Sequence, residues 1–150
     1  MISDLHTNLA YNSAGDDSDN CISDAGGQSA PLAQFGCDPS STLVDYMLTR
    51  FTESFGTVDV LVVTGDHVAH DIAPDLGNAS LTDENNVKGN LQATSDMVRK
   101  HFPDTLVLTT IGNNDGYHSQ AIDEASKPQY YQYLYDLWMT EYKGNSKILN

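Results

Sequence analysis

The chain has 150 residues, enough for one domain with a substantial core, and its 21 acidic against 7 basic residues leave a net charge of -14. That balance excludes nonspecific nucleic-acid binding, which needs clustered Lys and Arg to displace counterions. It leaves phosphate substrates open, because bound divalent cations reverse the local charge.

In chain order, Met1 to Ser3 reads as a buried strand without its lead-in, so the amino end is expected to be cut short, with no signal peptide ahead of it. Residues 7–40 hold Gly, Ser, Asp and Asn without a sustained period and form a long loop, functional or partly mobile. Asp38-Pro39-Ser40-Ser41 supplies helix caps, and Leu43, Val44, Met47, Leu48, Phe51 and Phe55 follow as a core-facing stripe. Val58 to Val63 is a β-branched run between Gly56 and Gly65, hence a buried parallel strand. Residues 72–86 are a polar loop. Val87, Leu91, Thr94, Val98 and Phe102 mark a second amphipathic helix, which Pro103-Asp104 ends. Thr105 to Ile111 is another apolar strand. Pro128 opens a last helix carrying Tyr131, Leu134, Leu137, Trp138 and Tyr142 toward the core. Strands joined by helical crossovers predict an α/β fold with a parallel sheet, one domain over 1–150. No stretch reaches the roughly 20 apolar residues of a membrane span.

Three of the strand ends carry chemistry: Asp4-Leu5-His6, Gly65-Asp66-His67-Val68-Ala69-His70-Asp71, and Gly112-Asn113-Asn114-Asp115. Side chains just past the carboxyl ends of parallel strands converge in one crevice. Asp4 and His6 are two residues apart and could reach the same ion, a mixed donor set suited to Zn, Fe or Mn. Alone, they read more readily as a loop carboxylate and a surface imidazole. Asp66 follows a glycine turn where a carboxylate could bridge two ions. His67 points outward or supports another ligand. His70 is either a general acid for a leaving oxygen or a hydrogen-bonded loop cap, and Asp71 orients an imidazole. Asn-Asn-Asp alone is turn chemistry. Cys21 and Cys37 are either two free thiols or a bonded pair, and Asn78-Ala79-Ser80 is a glycosylation sequon.

As a set, these segments resemble the first three motifs of the calcineurin-like metallophosphoesterases. The chain is most similar to the acid sphingomyelinase-like phosphodiesterase branch. The resemblance rests on Ser3-Asp4-Leu5-His6, Gly36-Cys37-Asp38-Pro39, the long Thr64-Gly65-Asp66-x-x-x-His70-Asp71 form and the Tyr-rich helix from Tyr130 to Trp138. It implies the first half of a metallophosphoesterase α/β sandwich and hydrolysis of phosphodiester bonds with two divalent ions, zinc first, with iron or manganese as alternatives. It implies Asp4 and His6 as ligands of one ion, Asp66 as the bridge, Asn113 on the other ion, and His70 beside the leaving group. It also implies a Cys21–Cys37 disulfide and a glycosylated Asn78, in a secreted protein or one of the lysosomal or vacuolar lumen. The expected substrate is a small molecule, a lipid headgroup or a polyphosphate.

Two departures are expected to matter. Asn114 occupies the catalytic position where the family places a histidine, a form that with His118 downstream resembles the vacuolar endopolyphosphatases. The family's later histidine motifs have no counterpart, since His118 is the last histidine. The resemblance therefore implies an amino-terminal part of the domain, inactive by itself.

Overall fold

The computed structural model describes residues 1–70, 72, 87–116 and 127–139. Asp71, the Asn78 sequon, His118 and Tyr142 lie outside the described residues, as does most of the 72–86 loop. Helix α1 (Ser41–Phe55) starts at the predicted cap: the Ser40 hydroxyl oxygen accepts from the Leu43 N–H at 3.2 Å. It ends at Gly56, whose φ of 66° lies in the region that favours glycine. Strand β1 (Val60–Val63), helix α2 (Val87–His101), strand β2 (Leu106–Thr109) and helix α3 (Lys127–Met139) follow. The expected α/β class is borne out. Strands β1 and β2 are parallel, with Val60 opposite Leu106 and Val63 opposite Thr109, and α2 lies between them in sequence.

The expected first strand is reduced to one residue. Ile2 bridges Val63 in parallel, donating its N–H to Val62 O at 2.9 Å and accepting from Thr64 N at 3.1 Å. Thus β1 runs between Ile2 and β2, and the three strand ends predicted to carry chemistry are neighbours in one sheet.

Leu61 and Val63 of β1 pack on Val44 and Leu48 of α1, on Val98 of α2 and on Phe102 just past its end, with Leu5 closing the cluster. Such burial stabilises by about 1.5–3 kcal/mol per large aliphatic side chain. A second cluster joins Val68, Val87 and Leu91 to Tyr130, Leu134 and Leu137 of α3. The strands are not covered on both faces as expected: Val60 and Leu108 are half exposed, because α1 and α2 both pack on the face carrying Leu61 and Val63. On α1, Val44, Leu48 and Phe51 form the inward stripe, while Met47 and Phe55 are exposed. On α3, Tyr130 rather than Tyr131 turns inward. Its spacing to Leu134 and Leu137 is four and seven, one helical face, and its hydroxyl donates to the Asp115 carbonyl. That bond resolves the cost of burying a phenol.

The 7–40 loop is tightly knit rather than loose. The Cys21–Cys37 disulfide closes it, with Cα atoms 5.7 Å apart. Asn12 N–H donates to Cys21 O at 2.7 Å, Ala30 N–H to Ser13 O at 2.8 Å and the Tyr11 hydroxyl to Ala30 O at 2.6 Å. The Ser40 hydroxyl donates to Leu32 O at 2.6 Å, fastening the loop to the start of α1. No described helix is long and apolar enough to cross a membrane.

Candidate active site

The segments after Ile2 and after β1 run side by side. Asp4 N–H donates to Gly65 O at 3.3 Å, His6 N–H to Asp66 O at 2.9 Å and Thr7 N–H to His67 O at 2.9 Å. Gly65 lets the β1 turn lie against the β2 turn: its φ is 91°, and a Cβ there would sit 2.4 Å from Gly112 N. A Cβ on Gly112 would in turn fall 2.2 Å from Asp66 Oδ1. Two glycines thus bring the second and third clusters into contact around one carboxylate.

Asp4, His6 and Asp66 each offer a ligand atom, and these atoms lie within 4.8 Å of one another. Their donor set fits a divalent transition ion. His6 Nδ1 is 3.2 Å from the Val68 carbonyl, which can only accept, so Nδ1 carries the hydrogen and Nε2 keeps its lone pair. That Nε2 lies 3.7 Å from Asp4 Oδ1, and the Ser3 hydroxyl donates to the Asp4 carboxylate. The backbone is unusual at the same three residues: φ is 54° at Asp4, 41° at His6 and 51° at Asp66. Left-handed conformations cost non-glycine residues on the order of 1–2 kcal/mol each, and such outliers cluster at functional sites. The other two non-glycine cases among the described residues are Asn20 at 59° and Cys21 at 58°.

His70 stands beside this group. Its ring stacks on that of His6, centroids 4.4 Å apart and planes 17° from parallel. Its Nδ1 lies 3.1 Å from each Asp38 carboxylate oxygen, and its backbone N–H donates to Asp38 Oδ2 at 2.5 Å. His6, Asp38 and His70 form a second set whose potential ligand atoms lie within 4.8 Å of one another. Among the described residues, the carboxylate that orients the His70 imidazole is Asp38, which the sequence offered as part of a helix cap and of the Gly36-Cys37-Asp38-Pro39 segment. Its signal is its place straight after the bonded Cys37.

Asn114 lies between these groups. Its backbone N–H donates to Asp66 Oδ1 at 2.8 Å, and its side-chain nitrogen is 3.4 Å from that oxygen and 3.5 Å from His70 Nε2. Asn113 occupies the same turn with an exposed side chain that takes no part in these hydrogen bonds.

His67 is a correction: it points inward, 2% exposed, with Nδ1 3.0 Å from Asp115 Oδ2 and Nε2 3.0 Å from the Thr109 hydroxyl. Its inward turn follows from Asp115, which sequence reasoning passed over as turn chemistry. The fully buried Asp115 carboxylate also accepts from the backbone N–H groups of His67 (2.8 Å), Val68 (3.1 Å) and Gly112 (2.8 Å). Burial pushes its pKa up, but hydrogen bonds from the His67 ring, the charge on that ring and the Gly112 and Val68 N–H groups hold it below the usual carboxylate range. Asp115 rivets the β2 turn to the β1 turn.

No protein-family model matches the chain. Among curated proteins it is similar to acid sphingomyelinase-like phosphodiesterase 3b of Mus musculus, 28% identical over 141 residues that make up 91% of this chain and 29% of that protein. The Homo sapiens protein of the same name shows the same identity and coverage. Sphingomyelinase phosphodiesterase C of Dictyostelium discoideum is 27% identical over 128 residues, 81% of this chain and 27% of that one. The chain therefore spans less than a third of the length of the curated relatives it matches. The resemblance to the acid sphingomyelinase-like phosphodiesterases read from the motifs is borne out by these proteins.

Proposed function

We propose that this chain carries part of the active site of a phosphodiesterase that depends on two divalent metal ions, with zinc the first candidate and iron or manganese the alternatives. The observation that carries the reading is the convergence of Asp4, His6 and Asp66, each on left-handed backbone, beside the His6–His70 stack. Similarity to acid sphingomyelinase-like phosphodiesterases supports the reaction class. Asp4 and His6 would hold one ion, Asn113 the other, and Asp66 both. Ions held there would neutralise the phosphoryl oxygens and acidify the attacking water. Asn114, on the same turn as Asn113, would hold Asp66 through its backbone N–H. His70 Nε2, 3.5 Å from the Asn114 side-chain nitrogen, would hand its proton to the departing oxygen. The substrate is a small phosphodiester or a lipid headgroup. The Cys21–Cys37 bond supports a secreted or lumenal setting, where disulfides persist.

A second reading, hydrolysis of polyphosphate, is favoured by Asn114 filling the place of a third-motif histidine against His70. A panel of phosphodiester and polyphosphate substrates separates the two. A structural zinc ion takes four protein donors, so four residues shared between two ions make a weak site, and the 150-residue chain alone should bind metal poorly and be inactive.

The test is Asp66→Ala in the parent protein, read by metal content and by hydrolysis of bis(4-nitrophenyl) phosphate. Both should collapse, activity by at least about a hundredfold, since both ions lose a ligand. Near-normal activity and metal content would sink the assignment.

A further inference from the structure

Asp38 is the residue the geometry singles out beyond Asp4, His6, Asp66 and Asn113. His70 has a side chain that is 53% exposed, so an imidazole there would ordinarily sample several rotamers. Asp38 removes that freedom. Its carboxylate, 14% exposed on the side chain, reaches both the backbone N–H and the ring Nδ1 of His70. Fixing both atoms sets χ1 and χ2 together and leaves Nε2 directed at Asn114. The acceptor is a carboxylate, so Nδ1 carries one hydrogen; in the protonated ring Nε2 carries the second and is the atom that meets the substrate.

Asp38 is itself gripped. The buried Asn20 receives the Asp38 N–H on Oδ1 at 2.6 Å. Its Nδ2 donates to Asp38 Oδ2 at 2.7 Å and to the His70 carbonyl at 2.9 Å, so one amide holds both partners. Asn20 can face Asp38 because each precedes or follows a half-cystine: Asn20 adjoins Cys21 and Asp38 adjoins Cys37. Asn20 and Cys21 both adopt left-handed backbone to do so. A loop seal needs none of this convergence on His70.

We propose that Asp38, clamped by Asn20 across the Cys21–Cys37 bridge, is a positioning residue that aims His70 Nε2 at the leaving oxygen. The inference rests on the phosphodiesterase reading. In the step it serves, water oxygen forms a new bond to phosphorus and gives its proton to solvent. The old P–O bond breaks with its electron pair on the leaving oxygen, which takes the Nε2 proton.

The test uses the intact parent protein, loaded with metal, and two esters of one phosphodiester: a 4-nitrophenyl ester, whose leaving group needs no proton, and an alkyl ester, whose leaving group does. Metal content is measured for every variant. Asp38→Asn should lower kcat/KM for the alkyl ester by about ten- to a hundredfold and for the nitrophenyl ester by only about threefold, with metal content unchanged. Asn20→Ala should show the same selectivity, more weakly. Equal losses on both esters, or lost metal, would show that Asp38 only holds the loop and would overturn the proposal, as would an unaffected alkyl ester. His70→Ala separates the two failures. If it shows the ester selectivity and Asp38→Asn does not, the positioning role falls and the function stands. If His70→Ala shows none, or the wild-type protein hydrolyses neither ester, the reading of His70 falls and the inference with it.

Discussion

Replacing Asp115 by alanine removes one carboxylate and strands four donors inside the protein: the ring Nδ1–H of His67 and the backbone N–H groups of His67, Val68 and Gly112. Each buried donor left without an acceptor costs about 1–3 kcal/mol. The four share one group, so the losses do not add. About 4 kcal/mol of destabilisation is expected, within the range for breaking a buried charged pair. Asp115→Asn keeps one carbonyl acceptor and should cost roughly half of that. The single tryptophan is well placed to report the change, because Trp138 lies 5.5 Å, ring centroid to centroid, from His67. Urea unfolding followed by Trp138 fluorescence, with an unchanged m-value, gives the difference directly. A loss under about 1 kcal/mol for Asp115→Ala would refute the idea that this carboxylate joins the two turns.

Two further outcomes follow from the same geometry. Gly65→Ala puts a methyl group 2.4 Å from Gly112 N at a φ of 91°; it should cost at least about 2 kcal/mol and lower metal content in the parent protein, measured by thermal melting and metal analysis. Asp45 joins α1 to α2 through Lys100 Nζ at 2.9 Å and His101 Nε2 at 2.8 Å, and these bonds, Lys100 first, hold its pKa below the usual range. A depressed carboxylate contributes stability above its unfolded pKa of about 4 and loses it as pH falls through the folded value. The Tm of Asp45→Asn should therefore fall less steeply than that of the wild type below about pH 4.

The elements were legible where local rules decide. The Ser40 cap and the 87–102 periodicity gave α1 and α2 almost to the residue. Strand lengths were overread, since the apolar residues Val58 and Ile111 continue the pattern past the last paired positions, Val60 and Thr109. On α3 the tyrosines at 130, 131, 133 and 135 leave the inward face ambiguous by one residue, about 100° of rotation, and the Leu134 and Leu137 face together with the carbonyl of Asp115 selects Tyr130. At the site, Asp4, His6, Asp66 and His70 were found because each follows a strand end. Asp38 and Asp115 were missed because their partners, His70 and His67, lie 32 and 48 residues away. A pairing across that distance leaves no period in the sequence. Asp115 also looked like any turn residue after two asparagines.

The left-handed residues at 4, 6 and 66 say something about descent. At each, the backbone conformation favours glycine, while the proposed metal site would require Asp or His. Folding and use therefore pull these positions in opposite directions, by on the order of a kilocalorie per mole at each. In a lineage released from the reaction, exchange to Gly or Asn there would relax the chain and be tolerated. On the proposed function, Asp, His and Asp on such turns would be held against that pull by the metals they bind, so these three positions would serve as a register of whether the site is still in service.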